Sequence, residues 1–98
     1  MTIINKIIDG KMYAEKLLEE IHPLSKGFLN NFNRKPCLTV ILVGDNPASK
    51  IYVKNKILIA KKIDIESKEI FFASDVSEDK VIHQISILNE DENVDGIL

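Results

Sequence analysis

The stretch CLTVILV at residues 37–43 limits the possible folds of this chain more than any other segment. It is a continuous run of apolar and β-branched residues. It lacks the alternation of apolar and polar residues that marks a strand with one solvent-exposed face. Such a run is typical of a strand that is covered on both faces, as in a parallel sheet. The sequence therefore predicts an α/β architecture built around this strand.

The elements before this strand are predicted from apolar spacing. An Ile-rich run at residues 3–8 indicates a short strand, and Asp9 is a candidate N-cap for the segment that follows. Apolar residues then recur at helical intervals from Met12 to Phe32. Because Pro23 lies inside this pattern and removes a helical donor, we expect a kinked helix or two helical segments.

The elements after it alternate between helix and strand. Residues 44–47 form a predicted loop, and a helix is expected from about Ala48 to Lys62. A second strand is expected at residues 68–73, a helix opened by Ser77 follows, and residues 94–98 begin a third strand. This order predicts right-handed β-α-β crossovers and a parallel sheet.

Composition restricts the class of partner. The 98 residues are 45% hydrophobic and 29% charged, as in an ordinary soluble domain of small size. A net charge of −2 gives no electrostatic reason to expect nucleic acid or a membrane surface. No apolar run approaches the roughly 20 residues that a membrane span needs. The single Cys37 favours a reducing cytoplasm, and as a small buried hydrophobe it needs no further role.

The helix after the loop carries the candidate chemistry. On a helical wheel, Lys50, Lys54 and Lys61 form a solvated face. Lys56 instead lies within a largely apolar arc, and its neighbours there are Ser49, Tyr52, Ala60 and Ile63. If this arc faces a cleft, an ammonium that is partly removed from water can exchange protons near neutral pH.

Lys56 and Ser49 could each have a structural role instead of a functional one. The Lys56 stem could lie along apolar surface while its ammonium reaches water. Ser49 could be an N-cap or an ordinary first-turn residue of the helix. The two histidines, His22 and His83, stand apart from any acidic or cysteine cluster, so we expect structural roles for them and no metal site.

A tyrosine and a lysine at this spacing also occur in short-chain dehydrogenases, which bind a dinucleotide through a glycine-rich turn. The four glycines of this chain, Gly10, Gly27, Gly44 and Gly96, are isolated from one another. No dinucleotide fingerprint or phosphate-binding loop is present, so that interpretation fails.

Three blocks of the sequence resemble the bifunctional methylenetetrahydrofolate dehydrogenase/cyclohydrolases. They are IIDGK at residues 7–11, PCLTVILVGDNPASKIYVKNK at 36–56 and LNEDENVDGIL at 88–98. The middle block is long and specific, and it contains the family's Ser-x-x-Tyr-Val-x-x-Lys helix. One departure is Asp64, which stands where the family has a glycine that caps the end of this helix.

The resemblance implies a fold and an activity. The family has a three-layer-type α/β catalytic domain followed by a Rossmann-type dinucleotide domain, and the folate lies in the cleft between them. It oxidises 5,10-methylenetetrahydrofolate to the methenyl form with NADP or NAD. It then hydrolyses that product to 10-formyltetrahydrofolate, a one-carbon donor in purine biosynthesis. By position, Lys56 matches the catalytic lysine, Tyr52 the tyrosine that packs on the folate ring, and Ser49 a serine of the same site.

The resemblance covers only the first part of a family member. We therefore expect residues 1–98 to be the N-terminal part of the catalytic domain, cut before the dinucleotide domain, with no NADP bound by the fragment itself. Such a fragment should be inactive alone, and the full-length parent should be a homodimer. The alternative is a non-catalytic remnant, or a small α/β module that binds folate or a partner.

Overall fold

The computed structural model describes residues 7–98, which form three helices and three strands. In chain order these elements are α1 (Gly10–Phe32), β1 (Cys37–Val43), α2 (Pro47–Lys62), β2 (Glu66–Phe72), α3 (Glu78–Glu90) and β3 (Gly96–Ile97). The predicted α/β class and the predicted strand at residues 37–43 are thus confirmed. No helix within this part of the chain is both long and apolar enough to cross a membrane.

The three strands form one parallel sheet in the order β2-β1-β3. β1 is the central strand. It pairs with β2 over its whole length, from Cys37 opposite Glu66 to Val43 opposite Phe72. β3 is short and pairs only at Leu38–Gly96 and Thr39–Ile97. The expected β-α-β arrangement follows, because α2 and α3 connect consecutive parallel strands.

The core lies between β1 and α2. Val40 and Leu42 are buried on one face of β1 against Val53 of α2, with Leu38 and Ile57 packed at the margin. The other face of β1 buries Cys37 and Thr39. Because both faces of the strand lose water, a continuous apolar run is the sequence that this position requires.

α1 is a single continuous helix, so the alternative of two helical segments is wrong. Asp9 caps it as predicted, since its carboxylate accepts a hydrogen bond of 3.1 Å from the Met12 backbone N–H. Pro23 lies inside the helix without ending it. Ser25 is the buried residue of α1, and its hydroxyl lies within hydrogen-bonding reach of the His22 and Ile63 carbonyls.

The remaining boundaries differ from expectation by a few residues. β2 begins at Glu66 rather than 68, and β3 covers only two residues of the predicted 94–98. Ser77 caps α3 as predicted. The strand predicted at residues 3–8 lies mostly outside the described residues, and its last two residues, Ile7 and Ile8, are exposed and belong to no strand.

Candidate functional site

The topology places a crevice beside the carboxyl end of β1. From β1 the chain moves through α2 to β2 on one side, and through α3 it returns to β3 on the other side. Ligands of open parallel sheets bind at the carboxyl ends of the strands, where neighbouring connections diverge in this way. The boundary between β1 and β3 is such a point.

The turn after β1 sets the start of α2. Gly44 has φ of +87°, a conformation that favours glycine, and its N–H donates a 2.9 Å hydrogen bond to the Phe72 carbonyl. Asn46 then caps the helix, because its side-chain oxygen accepts hydrogen bonds from the N–H groups of Ala48 and Ser49. Ser49 is therefore a first-turn residue and not the N-cap.

A hollow of about 360 Å³ opens at this crevice. It is lined by the end of β1, the first two turns of α2 and the end of the described chain: Val40, Ile41, Leu42, Ala48, Ser49, Tyr52, Val53 and Leu98. Ser49 is half-buried and Tyr52 is 52% exposed, so a polar hydroxyl and an aromatic face are both open to a ligand. The wheel and the resemblance both selected these two residues.

Lys56 stands one turn beyond Tyr52. Its Nζ lies 5.3 Å from the centroid of the Tyr52 ring, a cation–π geometry. The lysine is exposed and does not itself line the hollow. The structure therefore places the Lys56 ammonium against the Tyr52 ring but outside the hollow. Of its neighbours on the helical wheel, Ala60 and Ile63 are buried, whereas Ser49 is half-buried and Tyr52 is exposed.

The opposite flank of α2 borders a second hollow, of about 540 Å³, above the open edge of β2. Lys50 and Lys54 line it, with Phe71 on the strand. The Lys50 ammonium contacts the Asp45 carboxylate, and this hydrogen bond and charge lower the pKa of Asp45. α2 thus separates two different surfaces, and Ser49, Tyr52 and Lys56 belong to one of them.

Comparison with known proteins identifies the family of the chain. The family described as "Tetrahydrofolate dehydrogenase/cyclohydrolase, catalytic domain" matches residues 8–98. The chain belongs to this family. The bifunctional protein FolD of Wolbachia sp. subsp. Drosophila simulans (strain wRi) is 47% identical over 98 residues, which are 100% of this chain and 32% of that protein.

Solved structures of the tetrahydrofolate dehydrogenase/cyclohydrolase family share the fold. A 5,10-methylenetetrahydrofolate dehydrogenase from the silkworm Bombyx mori has a TM-score of 0.88 and 40% identity, over 94% of this chain and 32% of that one. The bifunctional FolD enzyme from Campylobacter jejuni has a TM-score of 0.85 and 38% identity, over 92% and 32%. The chain thus spans about a third of the length of the relatives it matches.

Residues 7–98 contain no loop suited to binding the family's dinucleotide cofactor. Binding a pyrophosphate requires a glycine-rich turn that opens a helix after a strand. Here the turn after β1 contains one glycine, Gly44, and the helix N-terminus is already capped by Asn46. The described part of the chain also holds no group of three or more metal-ligating acidic, histidine or cysteine residues.

Two long-range contacts outside the hollow were not foreseen from the sequence. His22 Nε2 lies 2.7 Å from Asp64 Oδ2, joining α1 to the turn between α2 and β2, and this contact lowers the pKa of Asp64. Arg34 forms two hydrogen bonds with the Asp95 carboxylate, of 2.7 and 2.9 Å. No periodic pattern signals such pairs, because their members are 42 and 61 residues apart.

Proposed function

We propose that this chain provides the folate-binding helix of a methylenetetrahydrofolate dehydrogenase/cyclohydrolase. The observation that carries the proposal is the placement of Ser49 and Tyr52 in one hollow at the carboxyl end of the central strand, with the Lys56 ammonium over the Tyr52 ring. Family membership at residues 8–98 supports it.

Each of the three side chains suits one part of a folate. The Tyr52 ring offers a flat surface on which a pterin or aminobenzoyl ring can stack. The Ser49 hydroxyl can donate to, or accept from, a polar edge of the ligand. Lys56 carries the proton transfers of methenyl hydrolysis, since its flexible stem lets the ammonium swing from the tyrosine ring towards the reacting carbon.

The wider assignment follows the same family. Residues 1–98 are the N-terminal part of the catalytic domain, the dinucleotide is NADP, and it is held by a part of the protein other than residues 7–98. The working enzyme is a homodimer of the cytoplasm, where the lone Cys37 stays reduced. Its product, 10-formyltetrahydrofolate, supplies one-carbon units for purine biosynthesis.

The test is to replace Lys56 by Met in the protein translated from the complete coding sequence. We expect hydrolysis of methenyltetrahydrofolate to fall by at least about 10²-fold, because general acid–base groups contribute factors of this size. The loss of methenyl absorbance measures the rate. Lys54→Met is the matched control, since Lys54 lies on the other flank of α2. Undiminished hydrolysis by Lys56→Met would disprove the role of this lysine.

A binding module without chemistry is the second candidate. It is favoured by one observation: Lys56 is exposed and does not line the hollow. In that case the 98-residue chain should bind 5-formyltetrahydrofolate, a stable folate, with a Kd that Lys56→Met leaves unchanged and Tyr52→Ala weakens. Titration calorimetry measures this binding, and a lack of methenyl hydrolysis by the protein from the complete coding sequence would distinguish the binding module from the catalytic protein.

A further inference from the structure

Asp95 connects the turn before β3 to the start of β1. Asp95 Oδ2 accepts a 2.8 Å hydrogen bond from the Cys37 backbone N–H, and the Asp95 backbone N–H donates a 2.9 Å bond to the Cys37 carbonyl. Both polar backbone groups of Cys37 are thus paired with Asp95. Because β3 pairs with β1 at only two positions, this double contact is one of the few connections that hold its register.

Arg34 holds the Asp95 carboxylate in this position. Its guanidinium meets Asp95 in a two-pronged arrangement, donates a 2.9 Å bond to the Glu92 carbonyl and lies 5.0 Å from the centroid of the Phe28 ring. Such planar pairing orients a carboxylate better than a single contact does. The Arg34 and Asp95 side chains are 29% and 32% exposed, so water screens their attraction only in part.

The register of β3 decides where Leu98 lies. The Leu98 N–H donates to the Thr39 carbonyl at 2.9 Å, and the Leu98 carbonyl accepts from the Ile41 N–H at 2.8 Å. In this position Leu98 forms one wall of the hollow that contains Ser49 and Tyr52. A slip of one residue would turn its side chain to the other face of the sheet, and a slip of two would move it by about 6.6 Å.

We propose that Arg34 and Asp95 are positioning residues for the folate site: acting from the opposite end of the sheet, they set the register of β3 and thereby the wall that Leu98 forms. The inference rests on the proposed function. It assigns a role to a pair whose members touch neither Ser49, Tyr52 nor the hollow. Asp95 and Leu98 flank the two residues of β3, so the position of Asp95 determines the position of Leu98 along β1.

The first experiment measures the register without using any folate. Amide hydrogen exchange of the 98-residue chain is compared between the native protein and Arg34→Met, which removes the guanidinium but keeps an unbranched side chain. We expect at least tenfold faster exchange at Leu98 and Ile41, and unchanged exchange at the amides of β2 that bond to β1. Lys35→Met, at the neighbouring exposed residue, is the control and should alter neither. Uniform acceleration across the whole sheet would show a general loss of stability and overturn the positioning role.

The second experiment uses folate turnover by the protein from the complete coding sequence. Arg34→Met and Asp95→Asn should each raise KM for methenyltetrahydrofolate about tenfold and change kcat less than twofold, since Lys56 is untouched. The double variant should have a KM no higher than that of either single variant, and the KM of Arg34→Lys should lie between those of the native protein and Arg34→Met. Unchanged KM beside altered exchange at Leu98 would overturn the link to the site. If the native protein neither binds nor turns over folate, the proposed function fails, while the exchange experiment still decides whether the pair sets the register.

Discussion

Thr39 carries a polar atom in a place where polar atoms usually have partners. Thr39 is fully buried on β1, and its hydroxyl oxygen has no hydrogen-bond partner among the described residues. A buried hydroxyl without a partner keeps the cost of its lost water, of the order of 1–3 kcal/mol. The backbone of Thr39 is satisfied within the sheet, since its carbonyl accepts from Leu98.

Replacing Thr39 by Val should therefore raise the free energy of unfolding by about 1 kcal/mol, because valine keeps the shape and removes the unpaired hydroxyl. Urea unfolding followed by circular dichroism measures the change. Thr39→Ser is the control: it keeps the hydroxyl, removes a methyl group and should destabilise. A loss of stability in Thr39→Val would mean that the hydroxyl has a partner, such as a bound water.

The Arg34–Asp95 pair makes stability depend on pH in a defined direction. Hydrogen bonds from Arg34, supported by the Cys37 N–H, lower the pKa of Asp95 below its ordinary 3.8. A carboxylate with a lowered folded pKa contributes stability that is fully present above its ordinary pKa and is lost as pH falls through the folded value. A protonated Asp95 then resembles an asparagine in shape and charge.

We accordingly expect Asp95→Asn to be less stable than the native chain at pH 7, and the gap to close as the pH falls below the ordinary aspartate value of 3.8 and through the lowered pKa of the folded chain. Urea midpoints at a series of pH values give this comparison. Asp75→Asn, at an exposed aspartate without an ion pair among residues 7–98, is the control and should leave the urea midpoint at pH 7 nearly native. A gap that persists in acid would mean that the Asp95→Asn substitution disturbs packing rather than charge.

At the scale of elements, the turn between β1 and α2 decides where the functional helix begins. Gly44 has φ of +87°, yet a Cβ added there would meet nothing closer than 3.7 Å, at the Cβ of Ser74. Another residue at position 44 would therefore destabilise the chain through its backbone conformation, because there is enough space for its Cβ. The cost falls on the segment that aims Ser49 into the hollow.

Gly44→Ala should lower the free energy of unfolding by about 1–2 kcal/mol, the price of a left-handed conformation in a residue with a side chain. It should also weaken binding of 5-formyltetrahydrofolate if the proposed function holds. Gly27→Ala is a matched control inside α1, where a Cβ meets nothing within 4 Å and should stabilise the helix slightly. Equal effects of the two changes in urea unfolding would contradict the conformational argument.

The sequence predicts elements better than contacts, and α2 shows why. Its apolar spacing and the continuous strand and loop before it are local signals, and they place the helix to within a residue, although the sequence suggests Ser49 rather than Asn46 as its cap. The three candidate residues follow from the same periodicity and from the resemblance. The His22–Asp64 and Arg34–Asp95 pairs depend on how distant segments meet, and only the assembled sheet brings them together. Pro23 shows the converse, since its local rule allows two helical segments where the fold keeps one helix.

At the scale of the molecule, apolar surface is left open over much of α1. Large side chains along one side of this helix are strongly exposed, including Tyr13 at 61%, Leu24 at 72% and Phe32 at 63%. An apolar patch of this kind is typical of surfaces that associate with other surfaces. The whole chain should therefore form oligomers as its concentration rises.

Leu24→Glu should shift this association to higher concentration and leave the thermal midpoint nearly unchanged, since surface substitutions change stability by about 0.5 kcal/mol or less. Sedimentation velocity over a concentration series measures it. Asn30→Glu adds the same charge away from the apolar side of α1 and should have little effect. Equal weakening by both variants would point to net charge, and no weakening by Leu24→Glu would place the contact elsewhere.

The central place of β1 has a consequence for how the chain is made. Of the described strands it is the first to leave the ribosome, but both neighbours that hydrogen-bond to its edges are translated later. At ordinary rates of protein synthesis, the most hydrophobic segment of the chain waits roughly 3 to 11 seconds before residue 98 completes the second edge. Until residue 72 is translated both edges of β1 are unpaired, and the edge that β3 covers stays open until residue 97 follows. The nascent chain thus exposes unpaired hydrophobic strand edges during its synthesis.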